Sequence, residues 1–351
     1  MKKSFFRSIA VRLLMLSTAS LLLFSACGPA TSTTSTPGSP TTVKLALDWI
    51  PNTNHTGIYT ALANGYYKQQ NMNVQLLPYG SVYPETLVAT GQADFAISFE
   101  ESVAIDRAQG LPIVSIAAIM QHDTSAMATL ASSGITRPAQ FVGKTFASSG
   151  DPAEQAVIDI MEANDGAASV GYNSVVVNNA DVSSLLTGHF NFVWIYQGVE
   201  GIMAKDAGIK LNMFSLQDYG VPDFYSPVLI TSEQMIKNHP DIVRRFLAAT
   251  SEGYTYAAQH PAQSADLFVK AAGGINNTEF ASVQVAEDSQ KFQSQYLLDN
   301  SKCWGTQTLS MWTGFPTLLY RVGALTDANN KPLTSPPDYA AMFTDQFLPH
   351  C

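Results

Sequence analysis

Apolar residues along this chain come in short unbroken runs, separated by stretches with helical spacing. VKLALDW (43–49), MNVQLLPYG (72–80), ADFAISF (93–99) and LPIVSIAAIM (111–120) read as buried strands. Between them Tyr59–Gln69, Pro84–Gly91 and Ser102–Gln109 place their apolar residues on one side and read as helices. A second cycle starts at GKTFASSG (143–150). It continues into the helix DPAEQAVIDIMEAN (151–164), whose first turn holds Asp151, Pro152 and Glu154, residue types favoured there. SVVVNN (174–179) and NFVWIY (191–196) extend the strands, SPVLITSEQMI (226–236) returns to one, and Pro240–Ala258 is helical. Beyond Pro261 the spacing of Phe268, Phe280 and Phe292, and of Met311–Val322, is mainly helical. No short period recurs, which excludes a solenoid. Strand and helix units repeated in this way predict an α/β chain of two lobes, each a mostly parallel sheet flanked by helices.

The first 42 residues lie outside that pattern. Lys2, Lys3, Arg7 and Arg12 precede the apolar run Leu13–Phe24, which is too short for a spanning helix and reads as an export signal. It ends at LFSACGP, where Ser25 and Ala26 put small residues before Cys27, as in a bacterial lipoprotein signal; Phe24 stands where an aliphatic residue is usual. Residues 1–26 are therefore expected to be a signal peptide and Cys27 the site of a palmitate-bearing lipid anchor, with ordinary cleavage near Ala26 as the alternative. GPATSTTSTPGSPTT (28–42) lacks charge and large apolar groups, and reads as a tether holding a folded domain at the outer face of the cell membrane.

Composition narrows the function. The chain has 351 residues, 46% hydrophobic and 13% charged, enough for a substantial core. Four of the 19 basic residues and none of the 28 acids lie in the signal segment, so the remainder is more acidic than the net −9 of the whole. That argues against nucleic acid and against a polybasic membrane surface. Besides Cys27 there are Cys303 and Cys351, able to pair in an oxidising compartment or to remain free thiols. No metal-ligand spacing is present.

Candidate binding residues gather where strands end. Asp48 and Trp49 close the first strand, at the carboxyl end where open α/β sheets take ligands, and Pro51 stops it. Asn52, Thr53, Asn54 and His55 then offer donors and acceptors; a flat aromatic beside amides suits a planar polar ring. Glu100 and Glu101 end the third strand, as ligand acceptors or as helix caps. Ser149, Gly150 and Asp151 form a loop at a helix N-terminus with backbone N–H groups expected to meet a carbonyl or an anion, without the glycine and lysine spacing of a nucleotide loop. Trp194 and Tyr196 share one side of a strand with Glu200 beyond, and Phe224 and Tyr225 precede the return to the first lobe. His122, His189, His239, His260 and His350 show no metal or triad spacing. No nucleophile, base and orienting group assemble, so no catalytic residue is expected.

The segments LDWIPNTNHTGIY, GQADFAISFEE, GLPIVSIAAIMQHDTS, FVWIYQG, HPDIVRRFLAATSEGYTYAAQHP and FTDQFLP resemble the thiamine-precursor-binding (ThiY-like) solute-binding proteins of vitamin importers, a family with riboflavin binders of the RibY type. The resemblance covers almost all of residues 43–349. It implies a two-lobe type II periplasmic-binding fold, with 43–127 and 227–351 as the first lobe and 128–226 as the second. It places Asp48, Trp49, Asn52, Glu100, Ser149, Gly150, Asp151, Trp194, Tyr196 and Tyr225 on the cleft side. It also implies a monomer that takes no cofactor, closes on its ligand by a hinge and docks on a permease with its ATPase. A sensor feeding a membrane receptor would share that fold. Riboflavin, a neutral tricyclic ring with a polar tail, is the first ligand expected, on the number of aromatics and the scarcity of basic groups; formylaminopyrimidine is the alternative. The same broad family includes a fungal pyrimidine synthase that consumes its own histidine. Ser102 stands at that histidine's position, and no cysteine-rich run occurs near Ser226, so synthesis is not expected.

Overall fold

A computed structural model describes residues 39–298 and 303–349. The expected signal peptide, the anchor Cys27 and most of the tether lie outside the described residues, as do His350 and Cys351.

Among the described residues ten strands form two five-stranded sheets. β1 (Thr41–Ala46), β2 (Met72–Leu77), β3 (Phe95–Ser98), β4 (Ile113–Ala118) and β10 (Val228–Ser232) make the first, in the order β2-β1-β3-β10-β4. β5 (Ser125–Leu130), β6 (Thr145–Ser148), β7 (Asn173–Val176), β8 (Phe192–Tyr196) and β9 (Leu211–Ser215) make the second, in the order β7-β6-β8-β5-β9. Within each sheet the neighbours β1 and β2, β1 and β3, or β6 and β7, β6 and β8, run parallel. The fourth strand of each order, β10 or β5, runs against both neighbours. That strand is the one the chain enters on arriving from the other lobe. The two lobes thus share one topology, joined by crossovers at 119–124 and 216–227.

The expected lobe boundary at Met127 falls inside β5, whose six residues all belong to the second sheet, so the first crossing ends before Ser125. Neither SAMATL nor LNMFS shows a clean alternation, and both strands are absent from the sequence pattern above. β5 is buried on both faces, which removes the period-2 signal, whereas β9 lies at the edge of its sheet with Met213 exposed.

The first lobe packs around Leu45, Phe95 and Ile97 with Phe246 and Tyr254 of the helix Pro240–Gln259. Phe95 stacks on Phe246 at 3.8 Å between centroids and Tyr254 on Trp304 at 4.5 Å. Helix Thr56–Ala63 lies against the same long helix through two glycines: a Cβ on Gly57 would fall in the ring of Tyr254, and one on Gly253 would meet the carbonyl of Gly57. The second lobe packs Phe141, Phe146, Phe192 and Phe214 beneath helix Ala153–Asn164. The chain after Cys303 returns to the first sheet, with Trp304 Nε1 donating to the Ile119 carbonyl at 3.1 Å and Phe343 bridging to Ser115. Cys303 is disulfide-bonded.

The crossovers run side by side and are fastened to each other. Ile119 N–H donates to the Pro227 carbonyl at 3.0 Å, Asp123 N–H to Asp223 Oδ1 at 3.1 Å, and Gln217 Nε2 to Asp123 Oδ2 at 3.0 Å. His122 Nδ1 meets Asp223 Oδ2 at 2.5 Å. Among the described residues no helix is long and apolar enough to cross a membrane.

Candidate functional site

The carboxyl end of β3 in the first lobe meets that of β8 in the second. Phe99, just past β3, lies over Tyr196 at the end of β8, with centroids 6.4 Å apart and planes 24° from parallel. The Tyr196 hydroxyl meets Ser226 Oγ at 2.9 Å.

The turn after β1 is held by its own polar groups. Asn52 caps a short 3-10 turn, Thr53–His55, its Oδ1 accepting from Asn54 N–H at 3.0 Å. His55 Nδ1 accepts from Asn52 N–H at 3.1 Å, which fixes the tautomer: the proton sits on Nε2, and Nε2 donates to Asp48 Oδ1 at 2.7 Å. Asp48 and His55 are thereby locked together. Trp49 stays half-buried, its ring 4.9 Å from that of Tyr79 and tilted 45° to it, its indole N–H donating to Glu279. Glu279 N–H donates to the Pro51 carbonyl at 3.1 Å, so a residue far along the chain closes over this turn.

Glu100 does not cap its helix. It is fully buried, and its Oε2 accepts from Tyr225 N–H at 2.9 Å while its own N–H donates to the Tyr225 carbonyl at 3.2 Å. Tyr225 is buried as well, with its hydroxyl accepting from Thr308 N–H at 3.0 Å. Its observed work is to hold Glu100. Tyr196 and Trp194 share the less buried face of β8; Trp194 packs against the main core cluster.

The loop Ser149–Asp151 departs from expectation. Ser149 N–H and Oγ both donate to Glu154 Oε1 at 2.8 Å, and Gly150 N–H donates to Ser148 Oγ at 2.9 Å. The Ser149 and Gly150 backbone donors expected to receive a carbonyl or an anion are satisfied locally, because the buried Glu154 reaches back over its own helix start and Ser148 takes the second. What the loop presents instead is Asp151, with Oδ1 accepting from Ala153 N–H at 2.7 Å.

The site is therefore acidic from both sides. Burial pushes Glu100 up to about 8, Glu85 to about 7, and Asp106 and Asp123 to about 6. Glu101 is raised by burial first and then by the charge of Asp151. Asp151 is raised by burial, and Glu279 by burial and then by Glu200. No lysine or arginine figures among the groups acting on any of them. Glu100 Oε1, Glu101 Oε2 and Glu279 Oε2 are buried without a hydrogen-bond partner. Among the described residues no group of His, Cys, Asp and Glu is arranged to hold a metal ion.

The sequence reading passed over Tyr79, Phe99 and Glu279. Phe99 stood in plain view at a strand end. Glu279 carried no local signal, since its role depends on a fold that brings it to Trp49 across 230 positions.

A model of the NMT1/THI5-like family matches residues 52–264. The chain belongs to the NMT1/THI5-like family. Within that family it is similar to the formylaminopyrimidine-binding protein of Halalkalibacterium halodurans, 26% identical over 83% of this chain and 88% of that one. It is also similar to the riboflavin-binding protein RibY of Chloroflexus aurantiacus, 23% identical over 97% and 98%. A third relative, the 4-amino-5-hydroxymethyl-2-methylpyrimidine phosphate synthase THI13 of Saccharomyces cerevisiae, is 22% identical over 87% of each chain. Among solved structures, the ligand-binding component of an ABC-type import system from Staphylococcus aureus matches with a TM-score of 0.65, covering 88% of this chain and 97% of that one at 15% identity. The two-lobe fold of this NMT1/THI5-like chain is that of the periplasmic binding proteins.

Proposed function

We propose that this protein is the extracytoplasmic solute-binding component of an ABC-type importer and that it captures an aminopyrimidine of the formylaminopyrimidine class. The observation that carries the ligand is a set of first-lobe carboxyls with buried, unpartnered oxygens, on Glu100, Glu101 and Glu279, and no lysine or arginine among the groups acting on them. Buried acceptors without partners are costly, and a ligand that brings N–H donors recovers that cost. An aminopyrimidine brings an amino group beside its ring nitrogens. The riboflavin ring offers mainly acceptors to the same wall, so the balance moves from riboflavin, first expected on aromatic area, to the smaller ring. The similarity to a formylaminopyrimidine-binding relative supports the same choice.

Trp49, inclined against Tyr79 and tethered to Glu279, supplies a stacking face, and Phe99 with Tyr196 the opposite aromatic wall. Asp48 is fixed by His55 at the rim of the same turn. Closure of the lobes about the crossovers at 119–124 and 216–227 encloses the ring, and the closed form docks on a permease whose ATPase supplies the work. Cys27 is the proposed lipid anchor that keeps the domain beside that permease. Binding without turnover fits a site in which Ser102 occupies the position assigned to the synthase's consumed histidine.

The test is a thermal-shift comparison of the purified protein with formylaminopyrimidine and with riboflavin at equal concentrations. At a hundredfold excess over Kd a ligand stabilises by about 2.7 kcal/mol. A rise in Tm with the pyrimidine alone supports the proposal, whereas a rise with riboflavin alone transfers the site to the flavin.

A further inference from the structure

Residues 305–308 lie across the first-lobe ends of both crossovers. Ala118 N–H, at the end of β4, donates to the Gly305 carbonyl at 3.0 Å, and Gln121 Nε2, in the first crossover, to the Thr306 carbonyl at 3.3 Å. Thr308 N–H donates to the hydroxyl of Tyr225, in the second crossover, at 3.0 Å. This strap is fastened down at Gln307. The Asp345 carboxyl accepts from Gln307 N–H at 2.8 Å and from Gln307 Nε2 at 3.2 Å. Gln307 Oε1 in turn accepts from Ser115 Oγ of β4 at 2.7 Å and from Trp312 Nε1 at 3.2 Å. Gln307, Ser115 and Trp312 are buried, so these bonds are shielded from water and hold the strap firmly.

Tyr225 carries that fixed position to the site. Its hydroxyl is held by the strap, and its main chain holds Glu100 twice: Tyr225 N–H donates to Glu100 Oε2 at 2.9 Å, and Glu100 N–H donates to the Tyr225 carbonyl at 3.2 Å. The two oxygens of Glu100 are therefore not equivalent. Oε2 is committed to the crossover, whereas Oε1 is buried without a hydrogen-bond partner. With one oxygen anchored, the carboxyl turns only about that anchor, and the Tyr225 main chain sets where Oε1 stands. A binding contact of this kind must be held to within about 0.5 Å to be effective.

We propose that Tyr225 and Asp345 are positioning residues for the binding site. Asp345 fixes the strap, the strap fixes the Tyr225 hydroxyl, and the Tyr225 main chain sets the Glu100 oxygen that meets the ligand. Neither residue touches the ligand itself. Because the strap also bears on both crossovers, the site and the first-lobe ends of the hinge are registered on one piece of chain from beyond Cys303. This rests on the reading of Glu100 as a ligand acceptor given above and goes further, because it names residues that act on that acceptor from a distance.

The experiment is a double-mutant cycle read by calorimetric titration with formylaminopyrimidine. Tyr225→Phe removes the hydroxyl that Thr308 holds and leaves the main-chain bonds to Glu100 available. Glu100→Gln keeps the shape of the side chain and puts an amide donor where the free acceptor stood. Tyr225→Phe is expected to weaken binding about 10-fold in the wild-type background and less than about twofold in Glu100→Gln, because both act through one contact. Asp345→Asn is expected to follow the same pattern with a loss of about threefold, and carries the comparison if Tyr225→Phe does not fold. Equal losses in both backgrounds, or no loss in either, overturn the proposal, since a general loosening of the first lobe weakens binding whether or not Glu100 accepts. If the wild type gives no heat with the pyrimidine, the functional proposal fails by itself. In that case, or if Glu100→Gln binds too weakly to titrate, the strap is read without ligand, by hydrogen exchange in the wild type and in the strap variant. Faster exchange at the Glu100 and Tyr225 amides, with β8 unchanged, upholds the proposal; no change at those amides, or the same change in β8, overturns it.

Discussion

At the scale of single residues, the site is built from groups whose partners dictate what they can do. Trp49 has its indole N–H held by Glu279 and its face beside Tyr79, so the ring is oriented before ligand arrives. Trp49→Ala is expected to weaken binding by about 2 kcal/mol, a loss of roughly 30-fold measurable by calorimetry, and Trp49→Phe by less, because the face remains and only the tether goes. Glu100 makes a pH-dependent prediction. Its proton affinity is raised by burial to about 8 from 4.5, so the stability it contributes is fully present below about pH 4.5 and is lost as pH rises through about 8. Glu100→Gln is therefore expected to raise Tm at pH 8.5 and to leave it nearly unchanged at pH 4.5; a variant less stable at both pH values would contradict the assignment. These residues differed in how readable they were. Asp48, Trp49 and Glu100 announced themselves by lying at the ends of parallel strands, where such sheets take ligands. Ser149 and Gly150 looked like an open backbone cradle because nothing in the sequence says that Glu154 folds back over them.

At the scale of elements, the segment from Glu279 to Gln293 ties the two lobes along one rim. On the first-lobe side Thr53 Oγ1 meets Ser289 Oγ at 2.6 Å and Gln293 bonds to Asn54; on the other, Ser289 donates to the carbonyl of Gly198. Gly198 has no room for a side chain, since a Cβ would lie 2.5 Å from the Phe292 ring and 2.9 Å from Gln293. Gly198→Ala is expected to push this helix, Val283–Gln293, off the turn after β8 and to speed ligand release, read by stopped-flow displacement, while leaving the contacts to the ring in place. Gly253→Ala affects the first lobe alone: its methyl meets backbone of the neighbouring helix, and a loss of about 1 to 3 kcal/mol in denaturant unfolding is expected. The apolar runs exposed β1, β3 and β4 plainly because Val43 and Leu45, Phe95 and Ile97, and Ile113, Val114 and Ile116 are buried large apolar residues in short runs. β5 was hidden by its small and polar residues, and β9 by its mixed LNMFS sequence at a sheet edge; both become strands by pairing with each other.

For the whole molecule, the two lobes repeat one sheet order, and buried carboxyls gather in the first lobe and at the crossover beside it. Glu85, Glu100, Asp106 and Asp123 all have raised proton affinities in the folded state, to values between about 6 and about 8. Each binds its proton more tightly folded than unfolded, so the unliganded protein is expected to lose Tm steadily as pH rises from about 4.5 to 8. An amine-bearing ligand offsets that loss by supplying positive charge where protons leave, and its stabilisation is expected to grow in the same range until the ligand itself deprotonates. The family and the two-lobe fold were legible from sequence because strand and helix units repeat over the whole chain; the acid wall was not, because it is assembled from segments as distant as Glu85 and Glu279. The measurement that bears most directly on this account is calorimetric titration of the purified protein with formylaminopyrimidine and, separately, with riboflavin. Saturable one-to-one binding of the pyrimidine at submicromolar Kd, with riboflavin at least about a hundredfold weaker, is the predicted result; tight riboflavin binding with no heat from the pyrimidine would contradict it.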